Sequence, residues 1–120
     1  MRTTDPEYPA AVEAAVEVLR GRARQGRTIT YGELSAELAE RGFDSVPPYR
    51  GVMTYLLRDV CLHGNADGRD PMLSAIVVNK ASREPSEQFS ILARSLPFSR
   101  SGDWSWRDEQ ERVFGRYREE

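Results

Sequence analysis

Arg27-Thr28-Ile29-Thr30-Tyr31-Gly32-Glu33-Leu34 is the stretch on which the fold turns. Thr28, Ile29 and Thr30 are β-branched and favour a short extended piece. Thr30 and Glu33 stand three apart, the spacing of a capping box in which each side chain accepts the other residue's backbone N–H. The chain therefore passes from a brief strand straight into a helix. Tyr31, Leu34 and Leu38 form that helix's inward face, and Gly42 is its stop signal. Upstream, Asp5-Pro6 and Pro9 open an earlier helix. Its apolar positions Val12, Ala15, Val16, Leu19 and Ala23 recur at three- and four-residue spacing until Gly26.

Downstream, Pro47-Pro48 reads as the opening of a third helix running through Val52, Met53, Tyr55, Leu56, Leu57, Val60 and Cys61. Arg50, Thr54 and Arg58, spaced by four, stack as one polar stripe on it. The turn-rich stretch from Gly64 to Pro71 follows, and the run Ile76-Val77-Val78 predicts a buried strand over Leu73 to Asn79, paired with a neighbour. Lys80 to Pro85 reads as a wing tip. Phe89, Leu92, Ala93 and Leu96 predict a fourth helix. After the linker Ser99-Arg100-Ser101-Gly102, a terminal helix capped by Asp103 or Ser105 presents Trp106, Val113, Phe114 and Tyr117. The expectation is an α+β, winged-helix-like domain over residues 1–98, with residues 99–120 forming a C-terminal helix packed on the same domain.

A chain of 120 residues with 39% hydrophobic and 30% charged residues has the size and balance of one globular domain. No apolar run approaches the roughly 18 residues of a membrane span, so no membrane partner is expected. The first residues lack a signal-peptide core, and the single cysteine, Cys61, has no intramolecular partner. Both point to a cytoplasmic protein. The net charge of −2 argues mildly against a nucleic-acid binder. Its distribution argues the other way, because Arg20, Arg22, Arg24 and Arg27 cluster without an acid between Arg20 and Gly32. Asp108, Glu109, Glu111, Glu119 and Glu120 crowd the other end, so an anion site belongs in the first half.

The order helix, short strand, helix, helix, strand resembles a winged helix. Thr30-Tyr31-Gly32, Arg50-Gly51-Val52 and the strand from Pro71 to Val78 resemble the DNA-binding domain of alkylguanine-DNA alkyltransferases and alkyltransferase-like proteins, over roughly Val12 to Asn79. That family carries Pro-Cys-His-Arg-Val-Val in its active-site strand, where Met72 and Leu73 take the places of the nucleophile and its histidine, so alkyl transfer is not expected. The resemblance implies that Tyr31 helps rotate a target nucleotide and that Arg50 fills the vacated stack.

The expected function is non-catalytic DNA binding, with Arg20, Arg22, Arg24 and Arg27 on phosphates and Tyr31, Arg50, Thr54 and Arg58 toward the groove. The alternative is a protein-interaction module, an immunity, antitoxin or phage-defence component, that docks a partner through its acidic C-terminal helix and an exposed Trp104. No cofactor motif is present. Cys61 and His63 are too few ligands for structural zinc, and Cys61 reads as a small buried thiol. Asp108-Glu109 reads as charge favouring a helix N-terminus.

Overall fold

The structure, a computed structural model, describes residues 1–49 and 51–118; Arg50, Glu119 and Glu120 lie outside the described residues. The first helix, α1, spans Tyr8–Arg24 with proline in its first turn, and the chain leaves it through Gly26 at φ 66°. The capping box forms as the spacing predicts. Thr30 Oγ1 accepts the Glu33 N–H at 3.0 Å, and Glu33 Oε1 accepts the Thr30 N–H at 2.9 Å. It joins β1, Ile29–Thr30, to α2, Tyr31–Glu40, with no intervening loop. The Thr30 N–H holds the Glu33 carboxyl below its ordinary pKa.

The third helix, α3, is Val52–Leu62 and does not begin at Pro47-Pro48. Pro48 disfavours helical geometry at Pro47. Gly51 then sits at φ 63° and ψ −120°, a conformation outside the helical region that suits glycine, so the helix starts one residue later. A fourth helix, α4, is Glu87–Arg94, and α5 is Trp106–Arg118. Leu96 falls beyond α4 and is 86% exposed, contrary to the apolar face expected of it. Pro97 removes it from the helix.

The segment Leu73 to Asn79 departs most from expectation. Leu73–Ile76 is a 3₁₀ turn, and only Val77–Val78 is a strand, β2. This strand pairs in parallel with β1, Ile29 against Val77 and Thr30 against Val78. Side chains of α5 explain the change. Glu109 Oε2 accepts the Met72 N–H at 2.9 Å, and Gln110 Nε2 donates to the Ala75 carbonyl at 2.9 Å. Backbone groups that an extended strand would offer to a neighbour are thus taken by a helix. Residues 80–85 make a turn stapled by Arg83 N–H to Asn79 O at 2.8 Å and Asn79 N–H to Glu84 O at 2.9 Å. No further strand pairs with β2 among the described residues. The described residues thus form an α+β fold of five α-helices and one two-stranded parallel sheet.

Leu19, Ile29, Leu34, Leu38, Leu56 and Ile76 are fully buried in one core between α1, α2, α3 and the 3₁₀ turn, and α5 packs on α1 and that turn. Glu109, expected as charge favouring a helix N-terminus, lies in the first turn of α5 and is 0% exposed. Its carboxylate accepts Arg100 Nε at 2.9 Å, Arg100 Nη2 at 3.1 Å, Trp104 Nε1 at 2.8 Å and the Met72 N–H. Arg100 also donates to the carbonyls of Gly68, Phe98 and Asp70. Gly68 is at φ 72°, and a Cβ there would meet the Pro97 carbonyl oxygen at 2.6 Å, so this close approach requires glycine.

Burial pushes the Glu109 carboxyl up, but its hydrogen bonds, with Arg100 foremost, outweigh burial and hold it below its ordinary 4.5. A depressed carboxyl contributes stability that is present above the unfolded value and lost as pH falls through the folded one. Glu109→Gln should therefore cost about 3–5 kcal/mol in urea denaturation at pH 7, because it leaves Arg100 buried and uncompensated. The variant should also lose less of its remaining stability than the parent as pH falls below about 4.5. Parental stability at pH 7 in Glu109→Gln would contradict the arrangement.

Candidate functional site

Tyr31 opens α2 as its first residue, so the capping box fixes where its ring goes. The ring is 6% exposed, and its hydroxyl accepts the Ser86 N–H at 3.0 Å. That bond ties the start of α2 to the start of α4 and makes Tyr31 one wall of a cavity of about 300 Å³, at the low end of ligand-pocket sizes. The α3 wall presents Met53, Thr54, Leu57 and Arg58, and the α4 wall presents Phe89, Ile91 and Leu92. Ser74 of the 3₁₀ turn and Asn79 after β2 add polar groups. Tyr49, 66% exposed, lies 6.1 Å from the Tyr31 ring, and Tyr55 is 50% exposed beneath the Arg58 guanidinium at 5.3 Å. Arg58 is also paired with Asp59 at 3.2 Å.

The cavity is therefore an apolar slot with an aromatic rim. Tyr31 can still donate its hydroxyl proton, since that oxygen already accepts from Ser86. Asn79 gives its amide N–H to the Glu84 carbonyl at 3.2 Å and keeps its carbonyl oxygen as an acceptor. Ser74, not Met72 or Leu73, is the residue of the 71–78 segment that lines it. Met72 is fully buried, with its N–H on Glu109. Ser74 Oγ lies 3.1 Å from Cys61 Sγ, so the thiol packs behind the cavity rather than in it.

The four N-terminal arginines have different surroundings. Arg22 lies 3.8 Å from Glu33 and 3.5 Å from Glu37, and it donates to the Thr28 carbonyl at 3.1 Å. The acids absent from its sequence neighbourhood come from α2, so Arg22 ties α1 to α2. Arg20 is half-buried, its guanidinium 5.7 Å over the Tyr117 ring. Arg24 is exposed on the last turn of α1. Arg27 is exposed and lines an open cleft together with Arg22, Glu33 and Arg83, the last of which reaches Thr28 Oγ1 with its guanidinium at 3.3 Å. Of the residues expected to contact DNA, Tyr31, Thr54 and Arg58 meet at the cavity, and Arg50 lies outside the described residues. Sequence reasoning missed Tyr49, Tyr55, Asn79 and Ser86; Tyr49 and Tyr55 are aromatic residues flanking the polar stripe, the one signal that pointed to them.

Trp104 is not an exposed anchor. Its indole donates to Glu109, its ring lies 6.0 Å from Phe89, and it packs against the core. Comparison with protein-family models, curated proteins and solved structures finds no match to this chain. No helix among the described residues is long and apolar enough to cross a membrane.

Burial raises the Cys61 thiol to about 11, with Ser74 opposing the shift. A neutral, enclosed thiol reacts only when the chain opens. Labelling by a thiol reagent at pH 8 should be about a thousandfold or more slower in native buffer than in denaturing urea, following the small unfolded fraction of a stable domain. Equal rates would place Cys61 at the surface and contradict its burial against Ser74.

Proposed function

We propose that the chain is a non-catalytic DNA-binding protein of winged-helix type, which lays α3 against the duplex and receives an unstacked base in the cavity behind Tyr31. One observation carries this reading. Thr54 and Arg58, two members of the polar stripe, border the same cavity as the tyrosine that the alkyltransferase-like resemblance assigns to nucleotide rotation. The order α1, β1, α2, α3, β2 agrees with that resemblance. Exposed Tyr49 and Tyr55 offer stacking faces, each worth about 1–3 kcal/mol per base in single-strand recognition. Arg27 and Arg83 supply cations along the cleft beside β1.

The cavity chemistry favours recognition over reaction. Among the described lining residues are hydroxyls, two amides and one guanidinium, and no carboxylate, imidazole or amine that would serve as a general base. Extruding a base costs a few kcal/mol and least at a mismatch. A mismatched duplex should therefore bind more tightly than its paired counterpart, by about tenfold or more.

Fluorescence anisotropy at several salt concentrations tests the proposal. With Arg27, Arg58 and Arg83 on phosphates, the logarithm of affinity should fall against the logarithm of salt with a slope of about −3. Arg58→Ala should flatten it by about one. Ile91→Trp, at a 55%-exposed rim position, should narrow the mouth and abolish the preference for the mismatch while sparing paired duplex. No affinity for any oligonucleotide at low salt would overturn the reading and leave the apolar mouth to a peptide.

A further inference from the structure

A second, smaller cavity of about 110 Å³ lies at the C-terminal end of α3, behind Cys61, where α1, α5 and the loop 64–71 meet. It differs in kind from the first. Arg20 of α1, His63, Asp70, and Arg116 and Tyr117 of α5 supply most of its chemistry. The Arg20 Nε atom is buried from solvent and has no hydrogen-bond partner. Arg20 makes no ion pair among the described residues, and its guanidinium lies 5.7 Å from the centre of the Tyr117 ring. A buried donor without an acceptor costs about 1–3 kcal/mol, and more on a charged group.

The acid nearest to hand does not answer that need. Asp70 faces Arg116 at 3.7 Å, and both side chains are half-exposed. Two guanidinium groups and one carboxylate leave the cavity one positive charge in excess. Guanidinium donors approach from two elements, Arg20 from α1 and Arg116 from α5. A tetrahedral oxyanion presents oxygens in several directions and can accept from both guanidinium groups at once. The volume admits an anion of only a few heavy atoms.

We propose that this cavity is a binding site for a small phosphate-class oxyanion, held by Arg20 and Arg116 with His63 at its edge. The site stands apart from the DNA-binding reading, since none of its residues lines the first cavity. Bound anion would join α1 to α5 and stabilise the folded chain.

The probe is inorganic phosphate, titrated at constant ionic strength against chloride. Arginine Nε–H resonances are followed by NMR, and Tm is followed in parallel. The Arg20 Nε–H signal should shift saturably, and Tm should rise to a plateau. Arg20→Lys keeps the charge and stem but has no Nε–H, and should weaken phosphate binding about ten- to hundredfold, the worth of a charged hydrogen bond. Arg107→Gln, on the exposed side of α5, should leave it unchanged. Should Arg20→Lys fail to fold, Arg116→Gln at its half-exposed position should show the same weakening. A linear, unsaturating shift of many arginines together, undiminished affinity in folded Arg20→Lys or Arg116→Gln, or an Arg20 response to duplex DNA alone would each overturn the proposal.

Discussion

The buried contact between Glu109 and Arg100 governs the C-terminal half of this fold. A carboxylate with no solvent exposure is tolerated only with its charge and lone pairs answered. Here Arg100, Trp104 and the Met72 backbone answer them at 2.8 to 3.1 Å. The same guanidinium gathers the carbonyls of Gly68, Asp70 and Phe98. The loop before the 3₁₀ turn, the segment that follows α4 and the start of α5 are thereby held around one ion pair. Arg112 closes the outer side, 3.2 Å from Glu109 and donating to the Arg69 carbonyl at 3.0 Å.

That clamp reaches the cavity through a short chain of contacts. Glu109 holds Met72 and starts the 3₁₀ turn, the turn sets Ser74 against Cys61 and delivers Val77 to β1, and Asn79 follows at the cavity wall. From the other side, the capping box at Thr30 places Tyr31, and Ser86 fixes its hydroxyl. Tyr31 and Ser74 thus face one space from two independently anchored elements. α3 supplies the third wall with an exposed stripe beside an apolar face, the usual division on a helix that packs on one side and meets solvent on the other.

What was legible in the sequence was local. The capping box at Thr30 and the helix stops at Gly26 and Gly42 depend on residues close in the chain. What was not legible depended on partners far away. Glu109 read only as charge at a helix N-terminus because Arg100, Trp104 and the Met72 backbone converge on it only in the folded chain. Leu73 to Ile76 looked like strand because β-branched propensity says nothing of the α5 side chains that claim its backbone. Arg22 looked available for phosphate because Glu33 and Glu37 are remote in sequence and adjacent in space. Tyr31, Thr54 and Arg58 were picked out from sequence and do meet, while the rim tyrosines and Ser74 became visible only when the helices were assembled.

On the proposed DNA-binding function, nucleic acid enters at the surface around Tyr31, Thr54 and Arg58. Methyl NMR on the intact chain, titrated with a duplex carrying one mismatch, reads that surface directly. Met53, Leu57, Ile91 and Leu92 line the cavity from two helices, and Val113 reports on the buried face of α5. The account predicts saturable shifts at Met53, Leu57, Ile91 and Leu92, with Val113 undisturbed. Shifts confined to α5, or none at a DNA concentration that saturates binding, would contradict it.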